Sequence, residues 1–271
     1  MKFLLKFLKW FAIVLVSIII LMYIFNIDYL LRAVRTIYFK GYTTAFLEDY
    51  KEFPNREIKK GTAQPWAITK DYNTVSATEK LQKTHKELQT IAFLIIKNDS
   101  IWHESYFDGF DENSKSNSFS MAKSVITMAM GKAIMEGKIK NLDQKVSDFF
   151  PELKGEYAKE VTVGDLSSMA SGLSWDEKYY SPFSIVTRAY FDDDLKGIIL
   201  GLDIKEKPGQ SFKYLSGATQ LLAMCIEKAT GEHLSDYVSK HFWQPMGAEN
   251  EALWQLDESP DGIEKAYCCI A

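Results

Sequence analysis

The sequence predicts an α+β fold, in which an antiparallel β-sheet is flanked by helices, with a transmembrane helix at the N-terminus. Residues 90–97 and 101–107 are β-rich apolar runs, and the polar residues 98–100 between them are typical of a hairpin turn. Helical segments follow at 124–136 and 218–230, each ended by a glycine. A hairpin followed by helices is the pattern of an α+β domain.

The N-terminal residues predict a membrane anchor. Residues 10–25 contain one polar side chain, Ser17, and three lysines precede them. A spanning helix needs about 20 residues, so the run reaches that length only with its flanks. No small-x-small cleavage site follows, which favours an uncleaved signal anchor over a cleaved secretion signal. We expect the rest of the chain to lie outside the cytoplasm, in the periplasm or the extracellular space.

These segments divide the chain into three parts. We expect a signal anchor and juxtamembrane helix in residues 1–45, a connector in 46–89 and a hydrolase domain in 90–271. Within the first two parts, the pattern predicts a polar connector around 54–56 and an irregular linker over 61–78, followed by a short helix from Glu79 to Leu88.

The later part of the chain is mostly helical. Thr162 is a candidate N-cap for a helix ended by Gly172, and residues 175–182 form an aromatic, acidic loop. Residues 234–242 predict another helix, and 266–270 begin an apolar strand.

Composition excludes some classes of function. The chain has 271 residues with 46% hydrophobic side chains, enough for a sizeable core, and its net charge of −4 offers no basic face to nucleic acid. Cys225, Cys268 and Cys269 contain no C-x-x-C pair, so neither a zinc site nor a disulfide framework is indicated. We expect Cys268 and Cys269 to be buried strand residues. No cofactor or metal is expected.

Ser120 and Lys123 are the candidate catalytic pair. If a helix begins near Ser120, Lys123 follows one turn later on the same face. A hydroxyl becomes a nucleophile when a neighbouring group takes its proton, and a desolvated lysine is one such group. The spacing alone is weak evidence, because 21 serines and 28 lysines would give about two such pairs by chance. No His-Glu-x-x-His or Gly-x-Ser-x-Gly motif supports a zincin or an α/β-hydrolase.

Three segments carry a family resemblance in their order and spacing. They are Phe-Ser-Met-Ala-Lys-Ser at 119–124, Val-Thr-Val-Gly-Asp-Leu with Met-Ala-Ser-Gly-Leu within 161–173, and Pro-Gly-Gln-Ser-Phe-Lys-Tyr-Leu-Ser at 208–216. Over about residues 90–271 the chain resembles the serine hydrolases related to class C β-lactamases. That superfamily also holds penicillin-binding peptidases, D-aminopeptidases, esterases and 6-aminohexanoate-dimer hydrolases, and the resemblance implies a β-lactamase/transpeptidase-like fold.

The resemblance also implies roles for individual residues. Ser120 would attack a carbonyl and carry the acyl group, its backbone N–H would supply half of an oxyanion hole, and Lys123 and Tyr214 would share the proton transfers. Ser216 stands where class C β-lactamases usually carry asparagine, which favours the amidase or esterase branches. Ser216 and Tyr179 are candidate substrate contacts. The alternatives are a core tyrosine at 214 and a solvated loop at 175–182.

The resemblance leads us to expect a Lys/His-x-Gly strand after the tyrosine, and none fits: Lys207-Pro-Gly209 precedes Tyr214 and has the pattern of a turn. We therefore expect the domain to be C-terminally incomplete, the N-terminal part of a longer protein. The expected function is hydrolysis of an amide or ester bond in a small molecule or peptide through a Ser120 acyl-enzyme. The alternative is a catalytically inactive homologue that binds a peptide or a cell-wall-like ligand.

Overall fold

The computed structural model describes residues 2–271. Its first helix does not pack against the rest of the chain. Helix α1 spans Lys2–Ile24, buries none of its residues, and is long and apolar enough to cross a membrane by length and composition. The chain then turns at Asn26, which has a φ of 52°. The Ile27 N–H donates to the Met22 carbonyl at 2.9 Å, and helix α2 (Tyr29–Thr36) begins two residues later.

Helix α2 packs firmly on the rest of the chain. It buries Tyr29 and Ala33, and its Arg32 guanidinium lies 2.5 Å from Asp193 and 2.6 Å from Glu258. A helix is therefore present where the juxtamembrane helix was predicted, and one of its faces belongs to the core of the domain.

Strand β1 (Asn55–Ile58) lies where the sequence predicted a polar connector. It pairs antiparallel with β5 (Ala252–Gln255), and Ile58 is fully buried. A strand of four residues with a partner nearly 200 positions away carries little periodic signal of its own, because its pairing is decided by tertiary contacts.

The predicted hairpin is present. Strands β3 (Ala92–Lys97) and β4 (Ser100–Tyr106) pair antiparallel, and Asn98 and Asp99 in the turn both have φ near +50°, as two-residue hairpin turns require. Strand β2 (Ala67–Ile68) adds to β4 in parallel, giving the order β2-β4-β3. The sheet is therefore mixed where an antiparallel one was predicted, because two residues of the predicted irregular linker pair with β4.

Helices supply most of the core. Each of the first eleven residues of α8 is buried, so this helix is surrounded on all sides, and α4 packs beside it. The helices after α2 are α3 (Glu79–Leu88), α4 (Ala122–Met135), α5 (Val163–Ser167), α6 (Ile185–Phe191), α7 (Leu195–Leu200), α8 (Ser216–Thr230) and α9 (Leu234–Val238).

One predicted helix ends earlier than expected, and another changes from α-helix to π-helix before it ends. Helix α5 is capped by Thr162 as predicted, but it ends well before Gly172, because Met169 turns the chain with a φ of 58°. After α9 the chain continues as a single π-helical turn (Ser239–Trp243).

The last residues complete the pairing with β5. The Leu253 N–H donates to the Ala271 carbonyl at 2.7 Å, and the Gln255 N–H to the Cys269 carbonyl at 3.0 Å. Cys268 and Cys269 are buried as predicted, but the strand predicted over 266–270 is a turn followed by an isolated bridge at Ile270, because Cys269 has a φ of 80°. The sulfurs of the two cysteines are bonded to each other, a single bond between adjacent cysteines that the sequence analysis did not predict. Adjacency was the only sequence signal for this bond, and it fits no disulfide framework pattern.

A buried ion pair ties β1 to the core. The Arg56 guanidinium lies 2.6 Å from Glu264, whose side chain is 1% exposed. Burial and the neighbouring Glu264 carboxylate raise the pKa of Glu227 to about 8, so Glu227 holds a proton at neutral pH.

This raised pKa predicts a pH dependence of stability. The favourable contribution of protonated Glu227 is complete below its ordinary pKa of 4.5 and is lost as the pH rises through about 8. We expect the free energy of unfolding of Glu227→Gln, measured with urea in detergent, to fall less between pH 5 and 8.5 than that of the wild type. Glu232→Gln, at a solvent-accessible neighbour paired with Lys240, should follow the wild type. Equal slopes for all three proteins would contradict the assignment.

Two glycines with the same backbone conformation provide a test of packing. Gly172 and Gly137 both have a φ of +69°; a Cβ at Gly172 would overlap the Glu206 carbonyl, whereas nothing lies within 4 Å at Gly137. We expect Gly137→Ala to cost about 1 kcal/mol, for backbone strain alone, and Gly172→Ala to cost roughly 3 kcal/mol or more, because backbone must also move. Urea unfolding of both variants measures the difference, and equal losses would be inconsistent with this packing.

Candidate active site

Ser120 and Lys123 lie together at the start of α4. A short 3₁₀ turn, Phe119–Met121, leads directly into the helix and holds Ser120 at its entrance. Lys123 Nζ, on the next turn, donates to Ser120 Oγ at 2.9 Å. The pair therefore has the hydrogen-bonding distance that proton transfer between them requires.

A second hydrogen bond fixes the lysine. Lys123 is 8% exposed, and its Nζ also donates to the backbone carbonyl of Tyr267 at 2.6 Å. Sequence reasoning did not identify Tyr267, because a backbone carbonyl has no residue-type signature. The two acceptors orient the amine of Lys123 toward the Ser120 hydroxyl.

Tyr214 lies beside the same amine. The centroid of its ring is 5.1 Å from Lys123 Nζ, within the range of a cation–π contact. The loop carrying it is held by Met169, whose carbonyl accepts from the Lys213 N–H at 2.7 Å. Tyr214 is 40% exposed, so it is not the buried core tyrosine that was the alternative interpretation.

Glu177 organises the other two predicted residues. Its carboxylate accepts from the Ser216 N–H at 2.8 Å and from the Ser216 and Tyr179 hydroxyls at 2.5 Å each. It also accepts from the Trp175 indole N–H at 2.6 Å. Burial and the bond to Glu177 raise the pKa of Tyr179, which keeps that hydroxyl protonated as a donor. The sequence marked Glu177 only as one of several acidic or aromatic residues in its loop.

A cleft of about 530 Å³ joins these groups. Ser120, Lys123, Tyr179 and Ser216 line it; Tyr214 does not. Among the described residues that line this cleft, Lys123 is the one with a charged side chain, and Ala33 and Ile37 near α2 contribute to its apolar wall. A smaller, more polar cavity of about 330 Å³ beside the α1–α2 junction contains none of the predicted site residues.

One group of potential metal ligands lies elsewhere. Donor atoms of Glu227, His233 and Glu264 all lie within 4.8 Å of one another. Arg56 and Ser235 already bind one oxygen of Glu264. The raised pKa of Glu227 keeps that carboxyl group protonated and therefore neutral. We assign no ion to this cluster.

Comparisons with known proteins agree with the predicted resemblance. The family described as Beta-lactamase matches residues 75–267. The chain is 27% identical over 193 residues to a 6-aminohexanoate-dimer hydrolase from Paenarthrobacter ureafaciens, covering 68% of this chain and 49% of that protein. It is 25% identical over 188 residues to Protein flp of Staphylococcus aureus (strain MW2), covering 65% and 37%. The chain thus spans half or less of the length of these curated relatives.

A solved structure shows the same fold. A protein from Bacillus anthracis, provisionally named a 6-aminohexanoate-dimer hydrolase, superimposes with a TM-score of 0.65 at 21% identity. The superposition covers 81% of this chain and 63% of that one. The predicted β-lactamase-like arrangement of helices and strands is therefore confirmed at the level of the fold.

The hydrogen bonds of Glu177 predict that removing its carboxylate lowers the free energy of unfolding and the labelling rate. Glu177→Ala leaves the Trp175 and Ser216 donors without their acceptor, which we expect to cost about 2–4 kcal/mol and to slow the reaction of Ser120 with a fluorophosphonate. Asp176→Ala, at the adjacent exposed carboxylate paired with Lys178, should change stability by about 0.5 kcal/mol or less. Urea unfolding and labelling rates measure both effects. A Glu177→Ala protein as stable and as reactive as the wild type would contradict this role.

Proposed function

Because the chain belongs to the Beta-lactamase family, we propose that it is a serine hydrolase that cleaves an amide or ester bond through an acyl-enzyme on Ser120. Proteins of this fold family are serine hydrolases, including amidases and β-lactamases. The observation that carries the proposal is the 2.9 Å hydrogen bond between the buried Lys123 amine and Ser120 Oγ at a helix entrance that opens into a cleft.

Acylation uses the serine and lysine together. Lys123 in its neutral form takes the hydroxyl proton while Ser120 Oγ bonds to the substrate carbonyl carbon, and the negative charge moves to the carbonyl oxygen. The Ser120 backbone N–H stabilises that oxyanion, and the helix dipole of α4 adds to it. The Tyr267 carbonyl supports this step by fixing the direction of the amine.

Collapse of the tetrahedral intermediate breaks the bond to the leaving group. The departing amine or alcohol takes a proton from Lys123 or Tyr214, which lies beside the amine. Water then attacks the ester on Ser120 and gives a proton to the same pair, which returns it to Ser120 Oγ as the bond to the acyl carbon breaks and the carboxylic acid leaves. The free serine is restored.

Ser216 and Tyr179 are the proposed substrate contacts. Both line the cleft with Ser120, and both hydroxyls are held by Glu177. The substrate is the amide or ester of a small molecule or peptide, and the reaction requires no cofactor or nucleic acid.

We further propose that α1 anchors the enzyme in a membrane with the hydrolase domain outside the cytoplasm. The length and apolar composition of α1 support this location, as does the absence of buried residues along it. A mature protein whose N-terminus begins after residue 30 would overturn the anchor.

Covalent labelling tests the catalytic assignment. We expect a fluorophosphonate to label the detergent-solubilised wild-type chain, and Ser120→Ala to abolish the labelling. Lys123→Ala should slow it by about 10²–10³-fold, because the general base is lost. Ser124→Ala is the matched control, since Ser124 is exposed on α4 and should label at the wild-type rate.

The position of the label decides between the two functions. Peptide mapping should recover the modification on Ser120. If folded wild-type protein takes no label from fluorophosphonate or from an acylating β-lactam, the catalytic proposal is wrong. That outcome favours the non-catalytic homologue that binds a peptide or a cell-wall-like ligand.

A further inference from the structure

We propose that Asp49 is a positioning residue for the nucleophile and that it acts through Asn117. This inference rests on the proposed role of Ser120. It assigns an active-site function to a residue outside the part of the chain that matches the Beta-lactamase family, residues 75–267. Asp49 begins a short 3₁₀ turn (Asp49–Glu52) between α2 and β1.

Asp49 is a fully buried carboxylate whose two oxygens are both used. Oδ1 accepts from the Asn117 side-chain amide at 3.1 Å. Oδ2 accepts from the Tyr190 hydroxyl at 2.7 Å and from the Phe46 N–H at 3.3 Å. The fully buried Lys265 faces the same cluster: its Nζ lies 5.1 Å from the ring centroid of Tyr190 and donates to the Tyr190 carbonyl. Burial lowers the pKa of Lys265 to about 7, and where the amine is protonated its charge offsets part of the cost of burying the carboxylate.

These bonds fix the orientation of the Asn117 side chain. Asn117 is 3% exposed, and its backbone N–H donates to the Leu47 carbonyl at 2.7 Å. The NH₂ group of Asn117 faces Asp49, because it donates to Oδ1 of that carboxyl group while the Tyr190 hydroxyl and the Phe46 N–H donate to Oδ2. Its Oδ1 therefore faces away from Asp49 and accepts from the Phe119 N–H at 2.9 Å.

Phe119 is the residue that this arrangement holds in place. It directly precedes Ser120 and has a φ of +46°, a left-handed conformation that is strained for a non-glycine residue. Such a conformation persists only where the surroundings impose it. The neighbouring Ser118 N–H is bound by the Ile270 carbonyl at 2.7 Å, so the turn is held on both sides. Removing Asp49 leaves the Asn117 amide with only its longer side-chain bond, 3.3 Å to the Tyr190 hydroxyl, and so weakens one of these two constraints.

The effect expected is on the rate of acylation more than on binding. A small displacement of Ser120 Oγ from Lys123 lengthens the bond through which the proton moves, and displacements of about 1 Å can cost about 100-fold in rate. Asp49 itself does not line the cleft, and of the side chains that bond to its carboxylate Tyr190 is the one that does. A loss of acylation rate without a loss of binding therefore distinguishes a positioning role from simple attachment of the N-terminal segment to the core.

The test compares Asp49→Ala with Glu48→Ala in the full chain, in detergent. Glu48 is the adjacent residue, and its carboxylate pairs with Lys51 at the surface. Fluorophosphonate labelling at several probe concentrations separates the maximal acylation rate from the apparent binding constant. We expect Asp49→Ala to lower the maximal rate about 10- to 100-fold with little change in binding, and Glu48→Ala to match the wild type.

A double-mutant cycle separates this role from general destabilisation. Asn117→Ala should lower the rate as much as Asp49→Ala, and the double variant should lose little more, because both act through one path. Asp49→Asn keeps an acceptor oxygen and should recover part of the rate. Tyr190→Phe removes one hydroxyl and should reduce the rate severalfold, which provides a reading even if Asp49→Ala does not fold.

The outcomes are distinguishable. A wild-type chain that cannot be labelled overturns the proposed hydrolase, and with it this inference. A labelled wild type with folded Asp49→Ala and Tyr190→Phe proteins that react at the wild-type rate overturns the inference alone. So do losses for Asp49→Ala and Asn117→Ala that simply add.

Discussion

A buried amine is tolerated only where hydrogen-bond acceptors replace the water that it loses, and Lys123 imposes this requirement on distant parts of the chain. One acceptor, Ser120 Oγ, comes from the turn before α4. The other, the Tyr267 carbonyl, comes from the segment that pairs with β5, so the observed hydrogen bonds of the lysine require that segment. The candidate site therefore depends on long-range contacts even though its two central residues are three positions apart.

The turn that carries Ser120 is bound by both ends of the chain. From the N-terminal side, the Leu47 carbonyl accepts a hydrogen bond from the Asn117 backbone N–H. The Asn117 side chain in turn accepts from the N–H of Phe119, the residue before Ser120. From the C-terminal side, the Ile270 carbonyl binds Ser118. All of these bonds act on one turn with a strained backbone. Strained residues persist at a site only where the surrounding structure fixes them, as it does here at the candidate site.

Local signals in the sequence predicted local features well. The hairpin of β3 and β4, the Gly231 stop of α8 and the spacing of Ser120 and Lys123 all follow from neighbouring residues. The resemblance added Tyr214 and Ser216, which adjacent residues alone do not identify. What could not be predicted is long-range: the pairing of β1 with β5, and the several bonds that meet at Glu177. Such contacts depend on geometry between segments, which single-residue patterns do not encode.

The short, hydrogen-bonded turn between α1 and α2 limits how far the domain can move relative to α1. A flexible tether lets an attached domain drift and tumble, but here α2 is clamped to the domain by Arg32 and begins almost immediately after the turn at Asn26. Helix α2 is eight residues long, about 12 Å at the rise of an α-helix, and Ala33 and Ile37 near its end line the cleft. With α1 in a bilayer, the cleft would sit at a set height and face a set direction above the lipid headgroups.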